Sequence, residues 1–213
     1  VSAPKQLFAL VFSTLALSGL TACDNDVEAG DPPPAVEQVI PPEQLVEEGQ
    51  KLFAVNCIGC HGQEGEGRVG MGPALASESF LAAASDEMLH ATISKGRMGS
   101  TMAAWGNMLS DSQVDALVAY VRSMVPHEPA TLDETPLSGD ATAGEQVFAT
   151  ICSMCHGRTG GGYMESSSGT GIGRKAFLDE VSNGYLRYII KNGKSQTKMK
   201  SFREDAPTAV ANL

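Results

Sequence analysis

The feature that most restricts this chain is an internal repeat. Gly49-Gln50-Lys51-Leu52-Phe53-Ala54 recurs 95 residues on as Gly144-Glu145-Gln146-Val147-Phe148-Ala149, and the same spacing carries Cys57, Cys60, His61 and Gly62 onto Cys152, Cys155, His156 and Gly157. Further along, Phe80-Leu81, Ser85, Leu89, Ile93 and Gly96 fall on Phe177-Leu178, Ser182, Leu186, Ile190 and Gly193, two residues later than the first offset requires. Two homologous domains follow, 43–125 and 140–213, the second with a longer loop. Between them, 126–139 is rich in Pro and acidic residues and reads as a linker. The periodicity predicts an all-α fold. In the first domain, helices are expected over Glu43–Asn56, Ser85–Lys95 and Ser110–Val125, the last with Val114, Leu117, Val118 and Val121 at helical spacing behind a Ser110 or Asp111 cap. The second copy stops at Leu213, the counterpart of Leu109, so the matching C-terminal helix is expected to be missing from this chain.

Four of the five cysteines lie in Cys57-Ile58-Gly59-Cys60-His61 and Cys152-Ser153-Met154-Cys155-His156. Cys-x-x-Cys-His is the attachment pattern of covalent c-type haem. On a helix, cysteines three apart share one face, suited to thioether bonds with the two haem vinyl groups, and the next residue offers an imidazole to the iron. A four-cysteine zinc site brings its pairs within about 15–20 residues of each other, and a thioredoxin-like motif needs a βαβ pattern; neither is present. Two haems, held by Cys57, Cys60, Cys152 and Cys155 with His61 and His156 as axial ligands, are therefore expected. They also answer a packing problem. With 6% aromatic residues, two domains of this size have little material for protein-only cores, and a haem supplies a large apolar body.

With these motifs in place, each repeat resembles a class I cytochrome c domain: N-terminal helix, Cys-x-x-Cys-His, distal Met loop, C-terminal helix. The resemblance implies a methionine as sixth iron ligand. The repeat selects Met102 and Met199, each six residues after the aligned glycine and three before an aromatic, Trp105 or Phe202. Met98 aligns with Ser195 and is set aside; Met71, Met88, Met108, Met124, Met154 and Met164 have no counterpart and are read as packing or loop-filling residues. Gly72-Pro73-Ala74-Leu75 resembles the family's loop in which a backbone carbonyl at the proline accepts the proximal histidine N–H. The stretch 167–173 contains no proline, which leaves open how His156 is oriented. His90 and His127 are read as solvent-facing. Two His/Met sites imply an electron carrier without catalytic residues, passing single electrons between a membrane quinol-oxidising complex or dehydrogenase and a terminal oxidase or reductase, as a free shuttle or a bound subunit. The alternative is a dihaem enzyme, a peroxidase or sulfur-compound dehydrogenase, with one open iron position.

The N-terminus adds an address. An apolar run from Leu7 to Leu20 is shorter than the ~20 residues a membrane span needs and reads as a signal peptide over 1–22. Leu20-Thr21-Ala22-Cys23 resembles the bacterial lipoprotein processing box, so Cys23 is expected to carry lipid, and 23–42, acidic and Pro-rich, to serve as a tether. The head is thereby placed on the periplasmic or outer face of a bacterial membrane. Formal net charge is −10, which argues against nucleic acid as a partner. The charge is unevenly spread: 43–125 is acidic, 140–213 slightly basic, and Lys191, Lys194, Lys198, Lys200 and Arg203 surround Met199. These five are expected to form a docking face for an acidic redox partner.

Overall fold

The computed structural model describes residues 40–165 and 167–203. Among these the chain is helical and carries no strand, only an isolated bridge between Arg68 and Gly72. The signal peptide, Cys23 and all but the last three residues of the tether lie outside the described residues, as do 204–213, where the question of a missing last helix falls. No helix among the described residues is long and apolar enough to cross a membrane.

In the first repeat, α1 (Pro42–Asn56) starts with proline at its first turn, where a missing N–H costs nothing, and packs across α5 (Asp111–Ser123). The crossing is close because Gly49 has no side chain: a Cβ there would run into the Ala116 carbonyl. One turn on, Phe53, 2% exposed, sets its ring 5.3 Å from Tyr120. The α5 N-terminus is held by a capping box, Ser110 accepting from the Gln113 N–H while Gln113 Oε1 accepts from the Ser110 N–H. Near its other end, Arg122 donates to the carbonyls of Leu81 and Ala84, both at 2.5 Å, and to Asp86 at 2.7 Å. This ties α5 to the corner between α3 (Glu78–Ala83) and α4 (Asp86–Lys95).

The second repeat reproduces part of this frame. Its first helix, α6 (Ala141–Val147), passes into a π-wound turn (Phe148–Cys152) before α7 (Ser153–His156), where the first repeat moves from α1 directly to α2 (Ile58–His61). Phe148 is half-buried where Phe53 is buried. After the short α8 (Lys175–Leu178), α9 (Asn183–Asn192) matches α4: Ser182 caps it from Tyr185 N at 3.0 Å as Ser85 caps α4 from Met88 N at 3.1 Å. Both helices end at a glycine in the left-handed region, Gly96 (φ 66°) and Gly193 (φ 70°), which turns the chain into the distal loop.

The repeats share one hydrophobic cluster, in which Tyr185 and Ile189 of α9 join Phe80, Leu81, Met88, Leu89, Val118 and Val121 of the first repeat. The linker does not hang free. Ala130 N–H donates to Ala82 at 2.8 Å, the Glu134 carboxylate accepts from the Ser182 hydroxyl and from Gly184 N–H, and Arg187 donates to the carbonyls of Asp133 and Thr135 at 2.7 Å each. It runs as a strap across α9, and the described residues belong to a single compact unit.

Candidate haem-binding sites

Each Cys-x-x-Cys-His sits where helix geometry makes it useful. Cys57 is the joint between α1 and α2, with Cys60 and His61 on the short helix that follows; Cys152, Cys155 and His156 repeat the arrangement on the π-wound turn and α7. The four thiols are free of disulfides. Burial, and then the neighbouring Cys60, push the Cys57 thiol up to about 11; the same two causes, with Cys155 as the neighbour, raise Cys152.

Both histidines are oriented by a backbone carbonyl. His61 Nδ1 donates to Pro73 at 2.9 Å, and His156 Nδ1 donates to Thr170, also at 2.9 Å. The second bond resolves what the absence of proline in 167–173 had left open: a main-chain carbonyl needs no particular side chain. Gly72 and Gly169 let these straps approach, since a Cβ on either would press on the carbonyl group of Cys60 or Cys155. With Nδ1 engaged, Nε2 keeps its lone pair for a metal. Burial pushes the His61 pKa down against the raising effect of the Pro73 bond, and the Lys194 ammonium pushes it the same way as burial. Two thiols one helical turn apart, an imidazole whose Nδ1 is engaged by a carbonyl and a thioether loop form a donor set that fits haem c.

The distal loops are built alike. Arg97 N–H donates to Met102 at 3.1 Å and Lys194 N–H to Met199 at 2.9 Å; Met102 N–H donates to the Ser100 hydroxyl and Met199 N–H to that of Thr197, at 3.2 and 3.1 Å. Met102 and Met199 are both half-buried, whereas Met98 is 84% exposed. A cleft of about 380 Å³ lies beside Met199, walled by Tyr188, Asn192 and Ser195 and, from the first repeat, by Glu78 and Ser79.

Several expectations need correction. Lys194 is no docking residue: its ammonium turns inward, donates to the Ala74 carbonyl at 2.6 Å and lies 4.4 Å from the Phe80 ring centroid, and burial brings its pKa down to about 8. Lys191, Lys198, Lys200 and Arg203 are exposed, with Arg203 also reaching Asn192. Among the unmatched methionines, Met88 and Met124 pack in the core, but Met71, Met108, Met154 and Met164 lie largely in solvent on loops and the attachment turn. His90 and His127 are half-buried surface residues, His90 with Ser94 and Asp115, His127 with the Val125 carbonyl and Arg122.

Paired helices, in-register attachment motifs and carbonyl-oriented histidines define a c-type cytochrome carrying covalently bound haem c, two per chain. More narrowly, the chain belongs to the family described as cytochrome c oxidase, cbb3-type, subunit III, which matches residues 44–121 and 139–211. It is 32% identical over 145 residues to the cbb3-type cytochrome c oxidase subunit FixP of Sinorhizobium medicae, covering 62% of this chain and 47% of that protein. It is 28% identical over 149 residues to CcoP of Rubrivivax gelatinosus, covering 69% and 45%. The chain thus spans about half the length of these relatives. Among solved structures it is similar to cytochrome cL from Hyphomicrobium denitrificans, at 26% identity and a TM-score of 0.36, over 41% of this chain and 52% of that one.

Proposed function

We propose that this chain carries single electrons between respiratory redox partners, with a terminal oxidase of the cbb3 type among them, using two class I cytochrome c domains over 43–125 and 140–213. The observation that carries the reading is the doubled site: each repeat has a histidine fixed by a backbone carbonyl and, further along, a methionine loop of the same hydrogen-bonded design. Haem c supplies one-electron exchange at its iron, and His/Met ligation leaves that iron without an open position. The chain's part is to attach through Cys57, Cys60, Cys152 and Cys155, to orient His61 and His156, and to hold Met102 and Met199 in place. Relatives named as oxidase subunits support the choice of partner.

The test is the optical spectrum of the oxidised, haem-loaded protein, with haem counted per chain and the weak far-red Met-to-ferric band quantified. Met102→Ala and Met199→Ala are each expected to remove one such band, and Met98→Ala none. A high-spin haem in the unsubstituted protein overturns the closed-site reading.

We also propose that Lys191, Lys198, Lys200 and Arg203 form the contact for an acidic partner. Reversing the charge of Lys198 and Lys200 together is expected to slow electron exchange with that partner and to flatten its dependence on salt; an unchanged rate and salt slope rejects the surface. At the other end, Cys23 is proposed as a lipid-modified residue that keeps the cytochrome at the outer face of the membrane. Cys23→Ser is then expected to release it into the soluble periplasmic fraction, and retention in the membrane fraction overturns the anchor.

A further inference from the structure

The two distal loops are each fastened to the opposite repeat. Arg97 begins the loop that carries Met102, yet its guanidinium donates to the Ala176 carbonyl of the second repeat at 2.5 Å and lies 5.4 Å from the Phe177 ring centroid. Lys194, the aligned residue, begins the loop that carries Met199, and its ammonium crosses to the Ala74 carbonyl and the Phe80 ring of the first repeat. Phe80 and Phe177 are themselves aligned, so the contacts are reciprocal: each repeat gives a cation and receives one. Beside Lys194, a hydroxyl cluster closes the same seam, with Ser195 Oγ 3.1 Å from Ser77 Oγ and Ser195 N–H donating to Ser79 Oγ at 3.0 Å. Ser77 is fully buried.

The Lys194 end differs from the Arg97 end in what it reaches. Ala74 directly follows Pro73, whose carbonyl holds His61. The ammonium therefore stands on the strap that orients the proximal ligand of the first site, while its own backbone N–H braces the ligand loop of the second. No ion pair among the described residues involves Lys194, although the Glu78 carboxylate belongs to the same cleft. A half-buried, uncompensated cation acts over a low-dielectric path and is poorly screened by salt. Its field favours the less positive, reduced state of a nearby iron.

We infer that Lys194 is a positioning residue for both haem sites, bracing the Met199 loop against the first repeat and raising the reduction potential of the first haem across the domain boundary. This rests on His61/Met102 and His156/Met199 being the axial pairs. A residue that merely stabilised its own loop would leave the first haem's potential where it was.

The experiment is a spectroelectrochemical titration of the haem-loaded chain and its Lys194→Gln, Lys194→Met and Lys194→Arg variants, with the far-red band recorded alongside. Met102→His and Met199→His assign the two potentials, since each lowers that of its own haem. Both neutral variants are expected to shift the first haem's reduction equilibrium three- to tenfold toward the oxidised form, about 30 to 60 mV, and to weaken the second haem's far-red band. Lys194→Arg is expected to restore at least half of the potential. An unchanged first potential in both neutral variants, or an equal drop in Lys194→Arg, overturns the inference. Should only Lys194→Arg load both haems, the charge is required for assembly and the inference stands; failure of all three to load refutes a role for the charge. If the unsubstituted protein lacks one of the two bands, the axial assignment itself has failed and takes this inference with it. When both bands are present and insensitive to Lys194, the assignment survives and the bracing role alone is lost.

Discussion

Truncating Ile189 to alanine should be felt by the other repeat. Ile189 lies on α9, is 9% exposed, and is enclosed by a cluster drawn mainly from the first repeat. Removing such a side chain from a core costs about 2–5 kcal/mol, and the position at the cluster's edge, where water can reach part of the gap, points to the lower end, ~2–3 kcal/mol. The chain has a single tryptophan, Trp105, half-buried in the short turn Trp105–Asn107 of the first repeat's distal region. Its fluorescence, quenched while a haem is held nearby, reports unfolding of that repeat alone. With a guanidinium dependence of ~4 kcal/mol per molar, the loss should move the Trp105 midpoint down by about 0.5–0.8 M in Ile189→Ala. Independent domains would behave otherwise: the Trp105 midpoint would stay within about 0.1 M of the unsubstituted protein while far-ultraviolet circular dichroism showed a separate, earlier transition. That result would refute the shared core.

Three further outcomes are expected. Ser110→Ala breaks the capping box of α5 and should cost about 1 kcal/mol, seen as a melting temperature lower by roughly 2–4 °C. Arg122→Met leaves the Leu81 and Ala84 carbonyls without their donor and should cost about 2–4 kcal/mol in chemical denaturation, with Arg122→Lys recovering little because an ammonium cannot serve three acceptors in one plane. The Ser182 hydroxyl, and then the Gly184 N–H, hold the Glu134 carboxyl below the usual carboxylate range. Its hold on the strap is therefore complete above the ordinary carboxylate pKa and lost as pH falls through the lower folded value, so Glu134→Gln should flatten the fall in stability below about pH 4, measured by acid unfolding.

What the sequence made readable is what repeats or what has a local signature. The attachment motifs, the capped helices and the Pro73 carbonyl all rest on residues close together in the chain. Thr170 could not be read, because the group that holds His156 is a main-chain carbonyl, available from any residue whose loop brings it there. Lys194 was misplaced for a different reason. Four basic neighbours in sequence mark a charged loop, but the carbonyl that draws its ammonium inward belongs to Ala74, 120 positions away. The reading of the unmatched methionines failed in part because a single helical turn, such as those that carry Met154 and Met164, is too short for periodicity to show which way an apolar side chain faces. Whether the linker swings or straps was equally closed to periodicity, since Glu134 meets the Gly184 N–H, and Arg187 the Asp133 and Thr135 carbonyls, only once α9 exists.

The reciprocal crossing of Arg97 and Lys194 has the form of an isologous contact, the kind two identical subunits make about a two-fold axis, here enclosed within one polypeptide. In a true dimer, every substitution at such a seam appears twice and must suit both halves at once. Covalent fusion lifts that constraint, and the seam records the freedom it brought: Ser195 joins a hydroxyl cluster with Ser77 and Ser79, while its counterpart Met98 faces solvent. A symmetric pair has no direction. One in which only a single cation stands on the other half's histidine strap can set its two irons at different potentials, and so give an electron a preferred way through.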